Sequence, residues 1–144
     1  MNQLINILIV DDSADDVEFT LAALQGTKLA NAISVVNDGV EAMEYLRREG
    51  KYASASKPSL VFLDLNMPRK DGREVLAEMK EDPELRQIPV VILTTSQTEE
   101  DILRSYDLHA NCYISKPVDL QGLSKIVQTI DEFWFGVVKL PPAR

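Results

Sequence analysis

The 144-residue chain holds one cysteine and one histidine, and each scarcity closes off chemistry. Cys112 has no partner in the chain, which excludes a disulfide framework and a cysteine-based metal site. Its apolar neighbours suit a small buried hydrophobe. His109 is isolated, with no nucleophile or acid that spacing would set beside it, so it is assigned to surface or scaffold. Apolar runs stop short of the ~18 residues of a membrane span, and Met1-Asn2-Gln3 lacks the basic lead of a secretory signal. A cytoplasmic protein is expected. Positive charge is also scarce: 15 Lys and Arg against 23 Asp and Glu leave a net charge of −8. Nucleic acid and anionic membranes call for a basic footprint, so neither is expected as a direct partner, and protein partners are. Internal repeats and low-complexity tracts are missing too.

What is present suits one globular domain. The composition is 45% hydrophobic and 26% charged, and a chain this long buries ~68–70% of its unfolded surface. Residues 1–144 are read as a single domain with a core over about 4–135 and a short apolar tail, leaving no room for a second folded module.

Short β-rich runs alternate with helical periodicity. Leu4 to Val10 predicts a strand, and Ser13 an N-cap for a helix carrying Val17, Leu21 and Leu24 up to Gly26. Ile33 to Val36 predicts a second strand, followed by a helix that runs to Gly50. Lys51 to Pro58 is small and polar and reads as a surface loop. Leu60-Val61-Phe62-Leu63 predicts a strand buried on both faces, and the helix after Gly72 breaks at Asp82-Pro83. Ile88 to Leu93 and Ala110 to Ser115 predict two more strands, with a helix around Ile102 to Tyr106 between them. A last helix carries Leu120, Leu123, Ile126, Val127 and Ile130. This βαβ spacing predicts an α/β fold, a doubly wound parallel sheet with helices on both faces.

On such a sheet Asp11, Asp12, Asp64, Thr94 and Lys116 all fall at carboxyl ends of strands, where open α/β sheets collect ligands. Asp15 and Asp16 read as a solvated helix N-terminus. If the first and third strands are neighbours, three carboxylates converge, and each pair ~4 Å apart repels by ~4 kcal/mol at an effective dielectric of 20. Compensating positive charge is required. A hard divalent cation such as Mg²⁺ suits the acids, and Lys116 adds a covalently fixed charge. The combination fits transfer of a phosphoryl group onto a carboxylate.

Ile9-Val10-Asp11-Asp12, Asp64-x-Asn66-Met67-Pro68-x-x-Asp71-Gly72, Leu93-Thr94-Thr95 and Lys116-Pro117-Val118 occur in that order. This succession resembles the receiver domain of two-component response regulators. The resemblance implies a flavodoxin-like (βα)5 fold, its five parallel strands in the order 2-1-3-4-5. It implies that Asp64 accepts a phosphoryl group from a partner histidine kinase. Mg²⁺, or Mn²⁺, is then held by Asp12, Asp64 and the Asn66 backbone carbonyl, with Asp11 acting through water. Lys116 contacts the phosphoryl group, Lys116-Pro117 is a cis peptide, and Thr94 and Tyr113 form a switch pair. No phosphodonor histidine is seen. The Tyr52 to Pro58 loop, Ser96-Gln97 and the aromatic C-terminal end are most similar to single-domain regulators paired with cyanobacterial phytochrome kinases. A phosphatase of the haloacid dehalogenase type also uses a strand-end Asp, Mg²⁺ and Lys, but needs a second acid where this chain has Asn66. A docking module that is never phosphorylated has no need of the crowded acids.

Leu123, Val127, Ile130 and Trp134 share an apolar stripe on the last helix, and Phe135 lies off it. That surplus predicts a homodimer through the fourth helix, fifth strand and last helix, with Trp134 and Phe135 at the interface.

Overall fold

The computed structural model describes residues 6–25, 32–94, 101–102, 112–116 and 119–130. Five parallel strands form one sheet: β1 (Asn6–Val10), β2 (Ala32–Val36), β3 (Leu60–Leu63), β4 (Val90–Thr94) and β5 (Cys112–Ser115). Their order is β2-β1-β3-β4-β5, as the resemblance implies. The described helices are α1 (Ala14–Gln25), α2 (Gly39–Leu46), α3 (Gly72–Glu81) and a last helix (Leu120–Ile130). Asp101 and Ile102 are also helical; the rest of the helix expected through Tyr106 lies outside the described residues.

Side chains alternate across each strand, and the sheet therefore separates two apolar layers. Leu8, Val10, Val61, Leu63, Val90 and Ile92 pack with α2 and α3 residues such as Met43, Leu46, Leu76 and Met79. Ile7, Ile9, Leu60, Phe62, Val91 and Leu93 pack on the other face with Val17 and Leu24 of α1 and Leu123 and Val127 of the last helix. All four β3 residues are buried, as a run with no polar alternation requires.

Several boundaries differ from expectation. Helix α2 stops at Leu46 because Arg48 takes the left-handed conformation, φ 56°, and the Glu49 N–H reaches back to the Glu44 carbonyl at 2.9 Å. The following stretch is more than a polar surface loop. Gly50–Tyr52 forms a single 3-10 turn, and Tyr52 packs edge-on against Tyr45 at 5.1 Å. Its hydroxyl donates to Glu41 Oε1 at 3.0 Å, so two side chains of α2 hold the loop down. Strand β4 starts at Val90, because the Ile88 N–H is still engaged by the Leu85 carbonyl.

Candidate functional site

The ladder bonds run one residue past the strands at the carboxyl edge, and that extra residue carries the polar groups. The Asp11 N–H donates to Val36 O at 3.1 Å, the Asp64 N–H to Val10 O at 3.0 Å, and the Lys116 N–H to Thr94 O at 2.6 Å. Backbone pairing thus fixes Asp11, Asp64 and Lys116 before any side-chain contact is made. β1 lies between β2 and β3, so Asp11 and Asp64 flank the point where strand order reverses, the usual ligand crevice of such sheets.

Behind Asp64, Leu65 is fully buried and anchors the chain. Gly72 then closes the loop: its N–H donates to Leu65 O at 3.0 Å, and a Cβ there would collide with the Asp64 carbonyl oxygen. Asp71 caps α3, accepting from the Arg73 and Glu74 N–H groups at 2.9 and 3.1 Å. The Asp64-to-Gly72 motif is therefore the minimum needed to end a buried strand, present a carboxylate and start a helix against it.

Oxygens of Asp11, Asp12 and Asp64 all lie within 4.8 Å of one another. Asp11 and Asp64 are buried and Asp12 is exposed. Hard carboxylate oxygens with one member open to solvent are a donor set that fits a hard divalent cation. Lys116 Nζ donates to Asp11 Oδ2 and Asp16 Oδ2, each at 2.9 Å, and lies 3.8 Å from Asp64 Oδ2. Thr94 is fully buried at the end of β4, and its Oγ1 accepts from Asn66 Nδ2 at 3.4 Å.

Burial pushes the Asp64 carboxyl above its ordinary value of 3.8, against the pull of Lys116, the Thr94 hydroxyl and the Asn66 N–H; Asp11 adds to the rise. Burial also opposes the charge on Lys116, but its hydrogen bonds to Asp16 and Asp11 outweigh that and hold it above 10.5. The ammonium is held mainly by those two acids rather than by Asp64.

The structure thus brings together Asp11, Asp12, Asp64, Thr94 and Lys116, as expected from sequence. Tyr113 sits opposite Ile92 in the β4–β5 register and packs at the edge of the α2 and α3 layer. Pro117, with its peptide bond, and Trp134, Phe135 and His109 lie outside the described residues. Asp16 corrects the sequence reading: it is an ion-pair partner of Lys116, not merely a solvated helix end. Asp16 stands in the first turn of α1, and no local spacing in the sequence links it to Lys116, 100 residues away. Arg73 was missed as well. It forms a two-pronged ion pair with Asp101, Nε to Oδ1 at 2.7 Å and Nη2 to Oδ2 at 2.5 Å, and reaches the Leu65 carbonyl at 3.4 Å and Asn66 Oδ1 at 3.5 Å.

A parallel sheet in this order, with acids and a lysine on one edge, defines a class that sequence comparison identifies. The chain belongs to the family described as response regulator receiver domain, which it matches over residues 7–128. It is a receiver-domain signalling protein. Among its relatives is response regulator Rcp1 of Synechocystis sp., 46% identical over 137 residues, covering 95% of this chain and 93% of Rcp1. A structure of the phosphorylated cyanobacterial phytochrome response regulator RcpA is similar with a TM-score of 0.89 and 51% identity, over 97% of this chain and all of that one. The Mn²⁺-bound form of Rcp1 gives a TM-score of 0.85 and 45% identity, over 95% of this chain and 99% of that one. The chain is thus a response regulator homologous to Rcp1 and RcpA. None of its described helices is long and apolar enough to cross a membrane.

Proposed function

We propose that this protein is a single-domain response regulator that accepts a phosphoryl group on Asp64 from a partner histidine kinase, a phytochrome among the candidates. The convergence of Asp11, Asp12 and Lys116 on Asp64 carries the reading. The carboxylate oxygen of Asp64 attacks phosphorus; the P–N bond of the donor phosphohistidine breaks, a P–O bond forms, and the departing imidazole takes a proton from solvent. Mg²⁺ or Mn²⁺, held by Asp12, Asp64 and the Asn66 carbonyl with Asp11 acting through water, supplies positive charge against the phosphoryl oxygens. Lys116 supplies the second positive charge, and Thr94 a hydroxyl hydrogen bond. The phytochrome pairing draws support from the likeness to RcpA, and the choice of metal from the Mn²⁺ form of Rcp1.

Signalling follows from Thr94. Its hydroxyl turns to the new phosphoryl oxygens, frees space for Tyr113, and alters the surface of the fourth helix, β5 and the last helix. The response is a change in protein contacts, including a homodimer through that surface in which Trp134 and Phe135 take part. We place the protein in the cytoplasm, without direct nucleic-acid or membrane contact, in keeping with its net charge of −8. The whole chain serves as one receiver domain, a phosphoacceptor rather than a multiple-turnover enzyme.

Incubation with Mg²⁺ and acetyl phosphate followed by intact mass tests the acceptor. One phosphoryl adduct is expected on wild type and none on Asp64→Ala; no adduct on wild type, or one that survives in Asp64→Ala, overturns the reading. For the dimer, light scattering should show self-association lost in a Trp134→Ala, Phe135→Ala variant, and a monomeric wild type in both phosphorylation states overturns it.

A further inference from the structure

Lys116 holds two acids that differ in how readily they can let go. Asp11 Oδ2 and Asp16 Oδ2 are equally close, 2.9 Å from Nζ, yet the Asp11 side chain is 5% exposed and that of Asp16 is 42%. Deprived of Lys116, Asp11 would be left as a buried charge with little access to water, whereas Asp16 would simply be hydrated. Asp16 is also well placed to pull. Its N–H is capped by Ser13 Oγ at 3.3 Å, and its carbonyl accepts from Thr20 Oγ1 at 3.0 Å, so it is anchored in the first turn of α1. From there it bridges 100 residues of sequence to the end of β5.

The ammonium stands 3.8 Å from Asp64 Oδ2, outside hydrogen-bond length. A phosphoryl group on Asp64 would present anionic oxygens to it, and Lys116, whose three N–H groups already serve Asp11 and Asp16, moves toward them by stretching one of those two bonds. The half-exposed partner is the cheaper to release. We propose that Asp16 is a positioning residue that acts through Lys116: it holds the ammonium aside from the unmodified acceptor and releases it when the phosphoryl group arrives. The inference rests on the phosphoacceptor reading above. Asp16 therefore opposes phosphorylation, and its removal makes the site easier to load.

The test measures the rate of adduct formation against acetyl phosphate concentration in wild type, Asp16→Asn, Asp16→Glu and Asp15→Asn. Asp15 lies in the same helical turn and is exposed, so its variant reports any general effect of removing a negative charge near an anionic donor. Asp16→Asn is expected to raise the maximal rate at saturating donor by about two- to fivefold, the range expected for losing one partly exposed ion pair. Asp16→Glu restores the wild-type rate, and Asp15→Asn leaves the maximal rate unchanged. High salt narrows the gap between Asp16→Asn and wild type, because it screens the Asp16 pair. An Asp16→Asn rate equal to or below wild type overturns the inference, as does equal acceleration in Asp15→Asn. No adduct on wild type overturns the phosphoacceptor reading and this inference with it; adduct on wild type with an unaltered Asp16→Asn overturns this inference alone.

Discussion

Asp38 and Asp64 are both buried carboxylates just beyond strand ends, 9% and 7% exposed, and their acidities move in opposite directions. At Asp38 burial would raise the pKa, but the Glu41 N–H at 2.8 Å and Arg69, with Nε at 2.9 Å and Nη2 at 2.6 Å, bring it below 3.8. Asp64 has a longer N–H contact, 3.2 Å from Asn66, and its nearest ammonium stands at 3.8 Å. There burial prevails and the pKa rises. Asp64 is the more deeply set of the two and has the weaker donors, so burial and donors together decide which charge is tolerated: one corner holds a structural acid and the other a carboxyl that resists ionisation. The first caps α2 and holds Arg69 at a φ of 64°, in the left-handed region. The second is left in want of a cation, in keeping with the acceptor role proposed for it.

The severest way to break the comparison is to disturb the glycine behind each corner. A Cβ at Gly39 would meet the Lys70 carbonyl, and one at Gly72 the Asp64 carbonyl. Backbone cannot yield as a side-chain tip does, so Gly39→Ala and Gly72→Ala should each cost about 1–3 kcal/mol, roughly 3–10 °C in Tm. Calorimetry checks this. Only Gly72→Ala displaces Asp64 itself, so at temperatures where both variants are folded it alone should slow acetyl phosphate labelling. Equal labelling in the two would show that Gly72 does not aim the acceptor.

Removing the acids should separate the corners by sign. Asp38→Ala strips the N-cap of α2 and the partner of Arg69, and a loss of about 1–2 kcal/mol is expected in urea unfolding. Asp64→Asn keeps an oxygen for the Asn66 N–H while relieving a buried charge beside Asp11. In metal-free buffer at neutral pH it should stabilise the fold by about 1 kcal/mol, the usual exchange of activity for stability at a functional site. A destabilised Asp64→Asn would mean that Lys116 compensates Asp64 better than its distance implies.

The sequence disclosed what depends on local pattern. The unbroken apolar run of Leu60 to Leu63 announced a central strand, and the positions of Asp11, Asp12, Asp64, Thr94 and Lys116 after successive strands announced a shared edge. Strand order came from family resemblance, since spacing alone does not set it. Pairings between distant residues were not legible. Asp38 with Arg69, Arg73 with Asp101 and Asp16 with Lys116 join residues 31, 28 and 100 apart, and nothing in local composition links them. The Tyr52 loop lies largely at the surface as expected, but its small polar residues hid the single aromatic that Tyr45 and Glu41 hold in place.

The smallest effects, and the sharpest test of the contrast, lie in pH. Asp38 has a folded pKa below its unfolded value of 3.8, so its contribution is present above 3.8 and is lost as pH falls through the folded pKa. Asp64 has a folded pKa above 3.8, so below 3.8 it costs nothing, and its penalty grows as pH rises through the folded value. Asn caps a helix about as well as Asp, so Asp38→Asn isolates the charge. In urea melts from pH 7 to pH 3, with chelator present, Asp38→Asn should begin less stable than wild type and Asp64→Asn more stable. Both differences should shrink toward zero in acid, from opposite sides. The Asp64→Asn difference should already be shrinking above pH 3.8, while the Asp38→Asn difference should hold until the pH falls below it. Two curves that converge from the same side, or over the same pH range, would show that the two carboxylates are not opposed as their partners indicate.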